Sequence, residues 1–155
     1  MTSGCLGRPD RTPGSLTPRE QIAQFMRGEW TQGGFNRAFG YYGVHWQEGT
    51  FEIHWRATEA FTTGQIDVIH GGAIATLLDN AMGWATTTVL QEDETFATAD
   101  LQIQFVRAAK PGLLKARGSV VRRTRALAFC ESDVRDDEDA LVARGAATCS
   151  IFKRR

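Results

Sequence analysis

The segment DVIHGGAIATLLDN, residues 67–80, places two glycines directly after His70 and one carboxylate, Asp79, nine residues beyond that histidine. Between Gly71 and Gln91, Asp79 is the only side chain that ionises. If a helix starts at the glycines, its first N–H groups lack intrahelical acceptors and lie at the positive end of the helix dipole. With no side chains at Gly71 and Gly72, a ligand can come close to that backbone. A carbonyl oxygen gaining charge during acyl transfer would be stabilised there. The same glycines also suit an ordinary tight turn. Asp79 could act as nucleophile or general base, or be a structural carboxylate held by donors. It falls about 130° from the centre of the apolar stripe at ~100° per residue. Ala75, Met82, Gly83 and Thr86 are its helical neighbours, and all but Met82 are small, which leaves room beside the carboxylate. A buried acid without donors, a partner or water would be costly.

The other reactive residue types point nowhere so specific. His70 could position a ligand or bond to backbone. His45 and His54 stand in strand-like runs and read as exposed polar residues. No two of the three histidines have metal-ligand spacing, so no metal is expected. Neither a serine in a nucleophile elbow nor a local Cys–His pair is present. Cys5, Cys130 and Cys149 are an odd, widely spaced set without a CxxC, and the last two alternate within strands as packing residues. A reducing cytoplasm is the expected compartment.

These residues need elements to hold them. Ile74, Leu77, Leu78, Ala81, Met82, Ala85 and Val89 recur at helical spacing, which predicts a helix from Gly72 to about Leu90. A helix polar on no face is buried all round. Earlier, Thr17-Pro18-Arg19-Glu20 is a capping box with proline at the first helical position, predicting a helix over Pro18–Arg27 that ends at Gly28. Residues 33–49 are aromatic and glycine-punctuated, and Phe51–Arg56 alternates as a half-buried strand. Residues 58–69 read as a loop. Four further strands are predicted over Phe96–Ala108, Leu113–Arg123, Ala126–Arg135 and Leu141–Phe152. Their short connections imply an antiparallel meander. The fold class is therefore α+β, a long central helix wrapped by an antiparallel sheet. A helix sealed on every side needs more cover than one small sheet gives, and a dimer would supply it. Residues 1–16 read as a loosely docked arm and 17–155 as one domain.

Lysine plus arginine total 18 and aspartate plus glutamate total 18, so net charge points to neither a nucleic-acid nor a membrane partner. The run from Gly71 to Gln91 carries Asp79, Asn80 and four threonines, which argues against a transmembrane span. Locally, Arg107, Lys110, Lys115, Arg117, Arg122, Arg123 and Arg125 fall in one predicted hairpin region. They suit either a solvated sheet edge or a phosphate-binding surface.

VIHGGAIATLLDNAMG followed by ADLQIQFVRAAKPG resembles the hotdog-fold acyl-CoA thioesterases of the phenylacetate-degradation type, over about Phe39 to Phe152. The resemblance implies a hotdog fold, a helix wrapped by a curled antiparallel sheet. It implies homodimers or homotetramers with sites at the dimer interface, and no cofactor beyond the coenzyme A of the substrate. By position, Gly71 resembles the residue whose N–H polarises the thioester carbonyl, with Gly72 beside it, and His70 the histidine that helps place the substrate. Asp79 resembles the nucleophile or general base, and Thr98 the hydroxyl that helps hold the attacking water. Met82 and Gly83 would lie along the substrate, with Trp84, Phe35 and Phe39 as candidate walls of an acyl tunnel. Arg107, Lys110, Arg122 and Arg123 would meet coenzyme A phosphates. Many relatives place Asn or Gln six residues before the histidine; here Gly64 occupies that place, and either Gln65 beside it serves as the catalytic amide with a one-residue shift or the role is missing. The activity implied is acyl-CoA hydrolysis. Its rivals are a non-catalytic acyl-CoA binding protein and, further off, a hotdog enoyl-CoA hydratase or dehydratase.

Overall fold

The computed structural model describes residues 16–29, 34–64 and 66–154, without the side chains of 34 and 35. Cys5, Gln65, the Phe35 side chain and all of the predicted arm except Leu16 lie outside the described residues.

Helix α1 (Pro18–Met26) carries the expected capping box: Glu20 N–H donates to Thr17 Oγ1 at 3.3 Å, and Thr17 N–H donates to the Glu20 carboxylate at 2.9 Å. Helix α2 (Gly34–Phe39) and strand β1 (Tyr42–Gln47) follow, then β2 (Thr50–Ala57) and one 3-10 turn, Glu59–Phe61. Only the aromatic, glycine-rich character of α2 and β1 was legible, because α2 is too short to show a period and β1 is broken by a bulge between Gly43 and His45. The central helix α3 spans Gly71–Thr87. It stops short of Leu90, since Thr88 Oγ1 bonds back to Ala85 C=O at 2.6 Å and accepts Gly49 N–H at 2.7 Å. The remaining strands are β3 (Glu94–Phe105), β4 (Gly112–Arg123), β5 (Leu127–Arg135) and β6 (Leu141–Lys153).

The six strands form one antiparallel sheet in the order β1-β2-β4-β5-β6-β3. This corrects the simple meander. Strands β4, β5 and β6 follow one another, but β3 pairs with β6 at the far edge. Three strand spacings separate β3 from β4, about 14 Å on a flat sheet. The six residues between them reach about 20 Å, and they cross past the start of α3, where Ile69 N–H donates to Ala109 C=O at 2.8 Å.

The sheet curls around α3 because its inner face is built of small residues in the middle and large ones at one side. Ala116, Gly118, Ala128, Cys130, Ala143, Ala147 and Cys149 face the helix. At Gly118 the approach is so close that a Cβ would lie 2.2 Å from Ala81 O and 2.7 Å from Met82 N. On β2, Phe51, Ile53 and Trp55 fill the wider end, and Phe39 stacks on Trp55 at 4.3 Å. From α1, Phe25 stacks on Trp84 at 4.3 Å and nearly parallel. Leu77 and Leu78 are fully buried, each contributing about 1.5–3 kcal/mol.

Within one chain, however, α3 is not covered on every side. Gly72 is exposed, and Ala75, Thr76, Asp79, Asn80 and Gly83 are partly so. Strand β3 has its own irregularity. Thr98 pairs with Cys149 and Asp100 with Thr148, so Ala99 is an extra residue, a β-bulge. Because of it, Thr98 and Leu101, three positions apart, both turn toward the core side.

Candidate active site

His70 is the N-cap of α3, and its Nδ1 accepts Gly72 N–H at 2.9 Å. An acceptor nitrogen carries no proton, so the neutral ring bears its proton on Nε2 and presents a donor outward. The residue is pinned from behind by His70 N–H to Phe61 C=O at 2.8 Å. The imidazole thus uses the second glycine's N–H, and among the described residues the Gly71 N–H has no acceptor. The helix start keeps one free, dipole-aligned donor. Three ring carbons of Phe105 stand 3.2–3.7 Å from the place a Gly71 Cβ would take.

Asp79 lies two turns further on, about 12 Å along the helix axis from Gly71. Thr98 Oγ1 donates to Asp79 Oδ1 at 2.9 Å. A pocket of about 190 Å³ opens beside the carboxylate, lined among others by Gln21, Asn36, Asn80, Trp84 and Phe96. Gly83 also lines it, and a Cβ there would meet the Phe96 ring at 3.1 Å. Asn80 is locked at both ends: Nδ2 donates to Thr76 C=O at 2.8 Å and Oδ1 accepts the Tyr41 hydroxyl at 2.5 Å. Burial pushes the Tyr41 phenol well above its ordinary range, and the nearby Asp79 charge adds to this, so Tyr41 remains a proton donor.

The structure brings together Asp79, Thr98 and Gly83, and separately His70, Gly71 and Gly72. It does not bring Met82 to the pocket: that side chain is fully buried in the core, because it lies on the helix face that packs on the sheet. Phe39 is likewise a core residue, stacked on Trp55. Gly64, which stands where the resemblance led to an expected Asn or Gln, has φ 79°, a left-handed backbone that favours glycine. The basic residues do not form one cluster. Strand β4 separates Lys110 from Arg122 and Arg123 by about 35 Å. Arg107 is ion-paired with Asp136, in a hollow that Asp137 and Glu138 share with Lys110. Arg123 holds the buried Glu94 at 2.5 Å. Each guanidinium is held by a carboxylate, although the Arg123 Nε is buried without a partner among the described residues, and the acids around Arg107 oppose a phosphate. Lys110 and Arg122 stay exposed.

Sequence reasoning missed Gln21, Asn36 and Tyr41 beside Asp79, and Phe105 beside Gly71. Asn36 and Tyr41 stand in the glycine-punctuated segment, where no periodicity says which way a side chain points. The alternation of β3 did put Phe105 on the same face as Leu101 and Ile103, but not against the helix start.

Among known proteins, the profile of the Thioesterase superfamily matches residues 67–143. A Haemophilus influenzae protein provisionally named an esterase is 24% identical over 111 residues, covering 72% of this chain and 77% of the relative. The solved structure of a phenylacetic acid degradation-related protein from Ralstonia eutropha superposes with a TM-score of 0.76 at 27% identity, covering 83% of this chain and 98% of that one. The Escherichia coli PaaI protein shares the fold, with a TM-score of 0.75 at 17% identity over 85% of this chain and 94% of its own. The profile match begins three residues before the His70 cap and runs through Asp79, Thr98 and the crossover into β6. Together with the curled six-stranded sheet and its enclosed helix, this makes the chain a hotdog-fold member of the thioesterase superfamily.

Proposed function

We propose that the protein hydrolyses an acyl-CoA thioester to a free acid and coenzyme A. Asp79 attacks the thioester or activates water, and the Gly71 N–H polarises the carbonyl across a dimer interface. Family membership supports a thioester hydrolase in general terms. The observation that carries the finer reading is the Thr98–Asp79 hydrogen bond at the mouth of a pocket. Thr98 occupies one carboxylate oxygen and leaves the other for water or the thioester.

The second half of the reading is spatial. A thioester carbonyl cannot touch the Gly71 N–H and the Asp79 carboxylate of one helix when they are about 12 Å apart. A second copy resolves this. The open side of α3 needs cover, and the twelve-residue β3 is an edge strand with unpaired backbone groups. Pairing two β3 edges would extend the sheet and set the helix start of one subunit near Asp79 of the other. Of the basic residues expected at coenzyme A phosphates, the exposed Arg122 is the better candidate, since Lys110 shares its hollow with Asp137 and Glu138. The proposal includes a homodimer or homotetramer in the cytoplasm, with no cofactor beyond the coenzyme A of the substrate.

The test is thiol release from a panel of short, long and aromatic acyl-CoAs, with Asp79→Asn alongside. Full activity in that variant would sink the assignment, and a monomer in sedimentation would sink the shared site. A single turnover in 18O-labelled water bears on the two roles of Asp79: unlabelled product acid with label in Asp79 establishes a mixed anhydride opened by water at the aspartyl carbonyl, and trapping the anhydride covers opening at the acyl carbonyl. A non-catalytic acyl-CoA binder is the second reading, favoured by the bare Gly64; binding without thiol release would establish it.

A further inference from the structure

We propose that Phe105 determines acyl selectivity, by excluding substituents on the carbon next to the thioester carbonyl; this rests on the carbonyl binding at Gly71. The outermost ring atoms, Cζ and both Cε, are the ones nearest the Gly71 Cβ position, at 3.2, 3.4 and 3.7 Å. The ring therefore meets the helix start tip-first, in contact range of the residue that carries the free N–H. More than half of the side chain, 58%, is exposed.

The backbone holds the ring in place. Phe105 is the last residue of β3, paired with Ala143, and both Val106 N–H and Arg107 N–H donate to Val142 C=O at 2.9 and 3.1 Å. Val106 and Ile66 leave apolar surface exposed on the segments that meet at this end of α3. A carbonyl bound at the Gly71 N–H would have the Phe105 ring and these apolar neighbours close beside it. A methylene next to the carbonyl fits such a slot, whereas a methyl branch on that carbon projects into the ring. Gly71 itself is part of the device: a Cβ there would stand 3.2 Å from the ring tip and push the ring outward by a few tenths of an ångström.

The experiment compares kcat/KM for a straight-chain acyl-CoA and its 2-methyl counterpart, in the wild type, Phe105→Leu and Phe105→Ala. One methyl group in an apolar pocket is worth about tenfold to 200-fold in discrimination. The wild type should prefer the straight chain by about tenfold or more. Phe105→Ala should lose most of that preference, and Phe105→Leu should fall between. Thermal melts and sedimentation of the variants are run alongside, and the Leu variant retains the test if Ala does not fold or assemble. A ratio unchanged within about twofold in both variants, with the wild type active, overturns the role of Phe105 alone. No thiol release by the wild type from any acyl-CoA overturns the hydrolase reading, and this proposal with it.

Discussion

The contact between Gly118 and α3 can be put to a quantitative test. A Cβ at Gly118 would lie 2.2 Å from Ala81 O, whereas ordinary contact begins at 3.4 Å. In Gly118→Ala the helix would have to retreat by about 1.2 Å, and the obstacle is backbone, which has no rotamer to yield. Overpacking a core costs typically about 1–3 kcal/mol and sometimes more; a backbone clash belongs at the upper end, about 3 kcal/mol. The opposing gain, reduced freedom of the unfolded chain, is only about 0.4–1 kcal/mol. The clash therefore wins. For a chain of this length about 3 kcal/mol lowers the melting temperature by roughly 6–12 °C. The displaced helix carries both Gly71 and Asp79, and misplacement by about 1 Å can cost about 10²-fold in rate. Thermal unfolding and acyl-CoA hydrolysis would be measured on Gly118→Ala and on its outward neighbour, Ser119→Ala, which should stay within about 0.5 kcal/mol of wild type. A Gly118→Ala protein that melts at or above the wild-type temperature would refute the close approach of helix and sheet.

Three further outcomes are expected. Thr98→Val removes a hydrogen bond to a carboxylate worth about 1.5–3 kcal/mol, so the melting temperature should fall by roughly 3–12 °C, and loss of the contact that holds Asp79 should lower kcat roughly 10–100-fold; undiminished turnover would remove Thr98 from the machinery. His70→Ala deletes the acceptor for Gly72 N–H, and loss of an N-cap costs about 0.5–2 kcal/mol in urea unfolding; His70→Asn, which keeps an acceptor, should recover that stability without recovering activity. Burial alone would raise the Glu94 carboxyl, but Gln91 N–H and Arg123 outweigh it and hold it below its ordinary value of 4.5. Its stabilising contribution is therefore complete above that pH and lost as pH falls through the lower folded value. Arg123→Met should be clearly less stable than wild type at neutral pH in urea unfolding, with the gap narrowing below pH 4.5; a constant gap would discard the pairing.

How much was legible in advance depended on the length of each pattern. α3 read clearly, because seventeen residues with one acid leave little alternative to a packed helix. The start of α1 read from chemistry rather than periodicity, since Thr17 and Glu20 satisfy each other's backbone. Strands β4, β5 and β6 were placed to within a residue or so by their alternation and charged turns. The position of β3 was not, because order in a sheet follows from what lies across it, and the six-residue crossover has the length of an ordinary loop. In the candidate site, Asp79 and Gly71 announced themselves as exceptions to an uncharged, side-chain-rich run. Met82 was misassigned because adjacency along a helix says little about direction: it follows Asp79 by three residues, yet faces the sheet. Arg107 and Arg123 were misread for a similar reason. Their partners, Asp136 and Glu94, are each 29 residues away in sequence.

The extra residue Ala99 divides β3 into two halves whose inward positions are out of phase. The first half presents Thr98 to the carboxylate; the second presents Leu101, Ile103 and then Phe105 to the core and the helix start. For anyone editing this sequence, the strand therefore behaves as two modules joined by a one-residue spacer. Deleting Ala99 alone would rotate one module by half a pleat and face its working residues to the wrong side.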